Sequence, residues 1–247
     1  MIINRINMEE NLKIVHLTPQ KIKELEKKIG ITFKNKNLLI NALIHRSFLN
    51  ENPKFEFGSN ERLEFLGDAV LELVVTEFLF KNQKEEEGIL TSFRASLVNT
   101  DMLSKVSNAL NITEFLYLSK GEKSDIHSKS KKSILADACE AIIGSIYLDQ
   151  GIEKAKKFIY DHLIIYFNEI LKSKSYIDFK TFFQEVAQEK IGITPNYKVI
   201  EESGPDHDKI FKIGLYVGDE LVSIGVGKNK QKAQEDAAKN GIEKKNW

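Results

Sequence analysis

Apolar residues recur at helical spacing from about residue 20 to residue 172, and at about residue 177 the pattern shortens. KIKELEKKIG ends on Gly30, a natural helix stop, and NKNLLINALIHRSF forms a second amphipathic segment. A third opens at Asn60. KNQKEEEG is a charged break, after which ILTSFRASLVNTDMLSKVSNAL continues as a further helical run. KGEKSDIHSKSKK is polar and expected to be mobile. SILADACEAIIGSIYLDQG is the next helix, ended by Gly151, and IEKAKKFIYDHLIIYFNEIL is the last of the series. KSKSY reads as a short polar linker. DFKTFFQEVAQEK then predicts a short helix, and YKVIEES, KIFKIGLYV and ELVSIGVG carry the β-branched and aromatic content of strands. KQKAQEDAAKNGIEKK predicts a closing helix. The expected fold is an all-α domain over 20–172, a linker at 173–177 and a small α-β-β-β-α domain over 178–247, behind an extension of residues 1–19.

Two helices stand out by where they place acids. In NERLEFLGDAVLE, at about 100° per residue, Leu63, Leu66, Val70, Leu73 and Val74 share one side. Glu61, Glu64 and Asp68 cluster within about 60° on the other. Asn60 sits where an N-cap is useful. Taken alone, this is an acidic face open to solvent. SILADACEAIIGSIYLD is different. Ile134, Leu135, Cys139, Ile142, Ile143 and Ile146 cover nearly the whole circumference, so the helix is expected to be buried. Asp137 and Glu140 lie one turn apart on it, and a buried unpaired carboxylate costs several kcal/mol, roughly. Ala141 and Gly144 flank the pair and leave room for a ligand. Either a lysine or arginine pairs with these acids, or they face Glu64 and Asp68 across a helix pair and share a cation. No matching Cys or His ligand set accompanies them, so oxygen ligands favour Mg²⁺, with Mn²⁺ as a substitute, over zinc. No Glu-x-x-His pair for a di-iron bundle occurs.

Composition narrows the classes. The 247 residues carry 36 Lys+Arg and 36 Asp+Glu, which argues against non-specific nucleic-acid binding over the whole surface but leaves room for a local basic patch. The single cysteine, Cys139, excludes an internal disulfide and fits a reducing compartment, so a cytoplasmic location is expected. No apolar run reaches the roughly 18 residues of a membrane span, and the N-terminal residues lack the apolar core of a secretory signal.

The motifs resemble those of ribonuclease III. NERLEFLGDAVL is similar to that family's signature helix, and ALIHRSF, EGILTSFRASLV and SILADACEAIIGSIYLD stand around it in the family's order. The resemblance runs from about Lys21 to Lys245. It implies that Glu64, Asp68, Asp137 and Glu140 form a metal-binding cluster, with Asp68 and Glu140 most directly tied to catalysis. It implies that Glu61 and Glu87 lie near a dimer interface and the substrate, and that Ser133 helps orient water or phosphate. It further implies a homodimer of the helical domain and metal-assisted hydrolysis of double-stranded RNA, leaving 5′-phosphate and 3′-hydroxyl ends with short 3′ overhangs. Processing of ribosomal and other precursor RNAs follows from the same likeness. The alternative is a non-catalytic double-stranded RNA-binding dimer.

The C-terminal domain resembles the double-stranded RNA-binding domain. Thr181, Gln184, Glu185 and Gln188 on its first helix are placed for 2′-hydroxyls of a minor groove. GPDH, with Pro205 and His207, is placed for a second groove. Lys228, Lys230 and Lys232 at the last helix suit phosphates. The family pattern has two adjacent basic residues there, whereas this chain follows Lys230 with Gln231. From Asp178 onward the chain has 11 Lys, no Arg and 12 Asp+Glu, so RNA binding is expected to rest on a local patch and to be salt-sensitive. Outside these motifs, His45 reads as structural, Cys139 as core, and Glu72 as solvated.

Overall fold

A computed structural model describes residues 17–124, 129–205 and 208–247. They fall into two compact units that divide between Ser173 and Lys174. The first is helical. It contains α1 (Pro19–Ile29), α2 (Lys36–Ala42), α3 (Arg46–Glu51), α4 (Glu61–Asn82), α5 (Glu87–Val98), α6 (Thr100–Ala109), α7 (Lys120–Ser124), α8 (Lys129–Gln150), α9 (Ile152–His162) and α10 (Phe167–Ser173), with 3₁₀ turns at Ile112–Phe115 and Ile164–Tyr166. The second unit is α11 (Phe179–Ile191), the antiparallel strands β1 (Asn196–Ser203), β2 (Ile210–Val217) and β3 (Glu220–Gly227) in that spatial order, and α12 (Lys230–Lys245). This is the helical domain followed by an α-β-β-β-α domain that the sequence pattern predicts. Among the described residues no helix is long and apolar enough to cross a membrane.

Local signals account for most helix ends. Thr18 accepts the Lys21 N–H at the start of α1, and Gly30, at φ 72°, closes it. Asp178 accepts the Lys180 and Thr181 N–H groups at the start of α11. Three of the expected helical stretches are divided into shorter helices. NKNLLINALIHRSF splits because Ile44 forms a parallel bridge with Tyr117: the His45 N–H donates to the Tyr117 carbonyl and the Tyr117 N–H to that of Leu43. The run after Gly88 splits at Asn99, whose side chain caps α6 by accepting the Met102 N–H. The segment after Gly151 splits at Leu163. In the stretch expected to be mobile, residues 120–124 form α7 and residue 129 opens α8, while residues 125–128 lie outside those described, as do residues 1–16 of the extension.

The centre of the helical unit is the crossing of α4 and α8. A Cβ built on Gly67 would lie 1.7 Å from the Glu140 carbonyl oxygen, and one on Gly144 would lie 2.2 Å from that of Leu63. Neither position tolerates a side chain, so the two backbones touch. The space expected beside Gly144 is therefore not ligand room; α4 itself fills it. The crossing also sets which face of α4 is buried. Leu63, Gly67, Val70, Leu71, Val74, Val75 and Leu79 point inward, whereas Leu73, expected in the core, is 62% exposed. Counting large apolar residues alone passes over Gly67, on which the buried stripe is centred.

In the second unit, Phe183 and Ala187 of α11, Leu215 and Val217 of β2, Val222 of β3, and Ala237 and Ala238 of α12 make a separate core. The opposite face of the sheet is open, with Ile200, Leu221 and Ile224 about two-fifths exposed.

Candidate active site

The α4–α8 crossing determines where the acids stand. Asn60 begins α4 without capping it. Its backbone N–H donates to the Ile44 carbonyl at 2.8 Å and its side chain to that of Ala42 at 3.4 Å. These bonds, with the Ile44–Tyr117 bridge, hold His45 and Arg46 against the first turn of α4. That turn carries Glu61 and Glu64, and the contact of Gly67 with the Glu140 backbone brings α8 alongside. Glu64, Asp137 and Glu140, all half-buried, then each place a carboxylate oxygen within 4.8 Å of the others. Asp68 is exposed and stands outside this trio, although its charge acts on Glu140.

The electrostatics follow from the crowding. Burial pushes the Glu140 carboxyl up to about 8, and the charges of Asp68, Asp137, Glu64 and Glu72 add to the shift. Glu64 is raised by burial and then by Asp137; Asp137 is raised by burial, partly opposed by His45 and Arg46. Among the described residues no lysine or arginine comes within 4 Å of any of the four acids. Arg46 lies close enough to act on Glu64 and Asp137, but its nearest carboxylate is Glu61 at 3.7 Å. The cluster is thus held together against its own repulsion. All its donors are hard carboxylate oxygens, which fits Mg²⁺ or Mn²⁺.

The remaining acids separate. Glu61 is exposed and accepts the Ser59 hydroxyl at 2.6 Å. Glu72, expected to be solvated, is half-buried and paired with Arg94 Nε at 3.0 Å, a partner from α5 that spacing along one helix does not reveal. Glu87 opens α5 and borders a cavity of about 280 Å³ with Thr76, Phe80 and Arg94. Thr76 and Phe80 lie 12 and 16 residues along α4 from Glu64, about 18–24 Å, so within one chain Glu87 is remote from the trio. Ser133 is exposed one turn before Asp137. Burial lowers the pKa of His45, whose Nδ1 accepts the Ser47 N–H at 3.3 Å, so the ring serves as the N-cap of α3. The sequence reading missed Arg46 and Arg94 at this site. ALIHRSF is visible in the chain, but its arginine is brought near α4 by contacts between elements, the Asn60 bonds and the bridge to Tyr117.

In the second unit, Gln184, Glu185 and Gln188 are exposed along α11, and the Thr181 hydroxyl donates to Asp178 at 2.9 Å. Pro205 is exposed, and His207 lies outside the described residues. Lys228, Lys230 and Lys232 are exposed where α12 begins, and Asn229 caps that helix by accepting the Lys232 N–H at 2.8 Å. Gln231 turns to Glu235, at 3.1 Å.

Both units match known families. Residues 35–166 match the ribonuclease-III-like family, and residues 179–245 match the double-stranded RNA binding motif. Ribonuclease 3 of a Nitratiruptor species is 41% identical over 224 residues, 90% of this chain and 96% of that protein. Ribonuclease 3 of Caldanaerobacter subterraneus subsp. tengcongensis is 42% identical over 221 residues, 89% of this chain and 96% of that protein. A solved nuclease domain of ribonuclease III from Campylobacter jejuni, described for flexibility in a region involved in dimer formation, is 48% identical, covers 57% of this chain and 94% of that one, and superposes with a TM-score of 0.50. With a nuclease domain, an RNA-binding domain and near full-length identity of about two in five, the chain belongs to the ribonuclease III family of double-stranded RNA endonucleases.

Proposed function

We propose that this chain hydrolyses double-stranded RNA at a cation held by Glu64, Asp137 and Glu140, with Asp68 completing the set on the exposed side. The observation that carries this reading is the convergence of three half-buried carboxylates with no basic partner within 4 Å among the described residues. Mg²⁺ is the ion we assign, with Mn²⁺ able to replace it. When bound, such an ion activates water for attack on phosphorus and stabilises charge on the leaving 3′ oxygen. The protein's part is to fix the donors. Burial and the neighbouring acids push the Glu140 carboxyl up to about 8, so a cation held there would compete with its proton. Asp68, exposed and close enough to act on Glu140, is the acid we assign to the junction of site and substrate. Ser133, exposed one turn from Asp137, is placed to orient water or phosphate. The products we assign carry 5′-phosphate and 3′-hydroxyl ends with short 3′ overhangs, and the substrates are ribosomal and other precursor RNAs in the cytoplasm.

A homodimer accounts for the outer face of α4. Phe65, Leu73 and Phe80 are 82%, 62% and 77% exposed and fall on one stripe of the helix. Two such stripes related by a two-fold axis bury each other and place paired sites on opposite strands of a duplex. Glu61 and Glu87 then lie toward the interface and substrate. Thr181, Gln184, Glu185, Gln188, Pro205 and His207 are assigned to the minor grooves, and Lys228, Lys230 and Lys232 to phosphates.

The test uses Asp68→Asn and Glu140→Gln. Each is expected to bind a plain RNA duplex as the unaltered chain does and to lose cleavage with Mg²⁺ by at least about a hundredfold. Cleavage at the normal rate by either variant refutes the assigned roles.

A further inference from the structure

The lysines that flank the start of α12 are not free. Lys228 Nζ lies 3.4 Å from Asp208 Oδ1, and Lys230 Nζ lies 3.3 Å from Glu202 Oε1. Glu202 belongs to β1 and Asp208 precedes β2, so both acids come from the same side of the sheet as the connection assigned to the minor groove. Lys230 is also fixed 5.6 Å over the Phe211 ring. Lys212 and Glu201, 3.8 Å apart on the neighbouring strands, repeat the pattern. Lys232 is exposed too, yet among the described residues it has no carboxylate within 4 Å.

We infer that Glu202 and Asp208 act as internal counter-ions that hold down the affinity of this chain for duplex RNA. The inference rests on the reading of Lys228, Lys230 and Lys232 as phosphate contacts. A phosphate that reaches Lys228 or Lys230 meets a carboxylate on the far side of the ammonium group. With the ammonium between them the two like charges stand about 6 Å apart, inside the Debye length of about 8 Å at physiological salt, so ions in solution weaken this repulsion without cancelling it. The like charge must turn away or be endured. A lysine already neutralised by its neighbour also releases fewer counter-ions from the RNA, so the salt dependence is shallower than three lysines imply. Lys232, with no such neighbour, is left as the full-strength contact. Of the three lysines assigned to phosphates, two are thus guarded and, among the described residues, Lys232 is not.

The experiment measures binding of the full chain to a plain RNA duplex, without divalent cations so that nothing is cut, across a range of salt. Glu202→Gln and Asp208→Asn keep shape and hydrogen-bonding capacity and remove only charge. Each is expected to tighten binding about two- to fivefold and to steepen the log–log salt slope by up to about one. Lys230→Ala is expected to weaken binding, and adding Glu202→Gln to it is expected to gain less than in the unaltered chain. If Lys230→Ala weakens binding but neither acid substitution tightens it, the counter-ion role is wrong. If Lys230→Ala leaves binding unchanged, the phosphate assignment of α12 falls, and the counter-ion role with it.

Discussion

Glu140 holds the carboxyl pushed furthest from its ordinary pKa among the described residues. Its carboxyl is pushed to about 8 by burial and by neighbouring acids, against an ordinary 4.5. A carboxyl whose pKa rises on folding opposes folding once it ionises, so without a cation the helical unit is expected to lose stability as pH climbs from about 4.5 through 8. A divalent cation favours the ionised form and must displace the proton. Its affinity is therefore expected to rise with pH up to about 8, by at most about tenfold per unit, and to level off above. Calorimetric titration with Mg²⁺ in buffers of different ionisation enthalpy reads this directly. About one proton released near pH 7 is the expected result, and none from Glu140→Gln; proton release that survives in that variant would assign it elsewhere. This much of the site was legible in the sequence, because a helix that is apolar almost all round leaves Asp137 and Glu140 nowhere to go but inside. The ion pair of Glu72 with Arg94 was not, because its partner comes from another helix whose orientation no spacing rule provides.

At the scale of elements, the strands and both helices of the second unit were readable because turns and caps of local origin bound them. In the first unit one helical run is broken by a distant group, Tyr117 at His45, which no local signal announces, whereas the break at Asn99 is a local cap. The same rule explains Leu73. Its exposure depends on where α8 crosses α4, a fact of packing and not of periodicity. The exposed stripe of Phe65, Leu73 and Phe80 leads to a direct expectation. Phe65→Asp, or Phe80→Glu, would introduce like charges across the proposed self-facing interface and is expected to shift the chain to a monomer in sedimentation velocity at micromolar concentration while helix content stays unchanged. A dimer that persists in both variants would move the interface to another face.

For the molecule as a whole, the two units have separate cores, and each is large enough to fold on its own terms. Scanning calorimetry of the full chain is expected to resolve two transitions. Mg²⁺ should raise only the one belonging to the helical unit, by an amount set by its concentration relative to Kd. A single transition moved by Mg²⁺ would mean that the units unfold together. The crossing at Gly67 and Gly144 has one more effect, on how such a chain can change over generations. Because main chain meets main chain there, the gap between Glu64 and Glu140 is not set by the bulk of any core side chain. Leucines, valines and phenylalanines elsewhere in the bundle can drift and repack without opening or closing the pocket, provided those two positions stay bare.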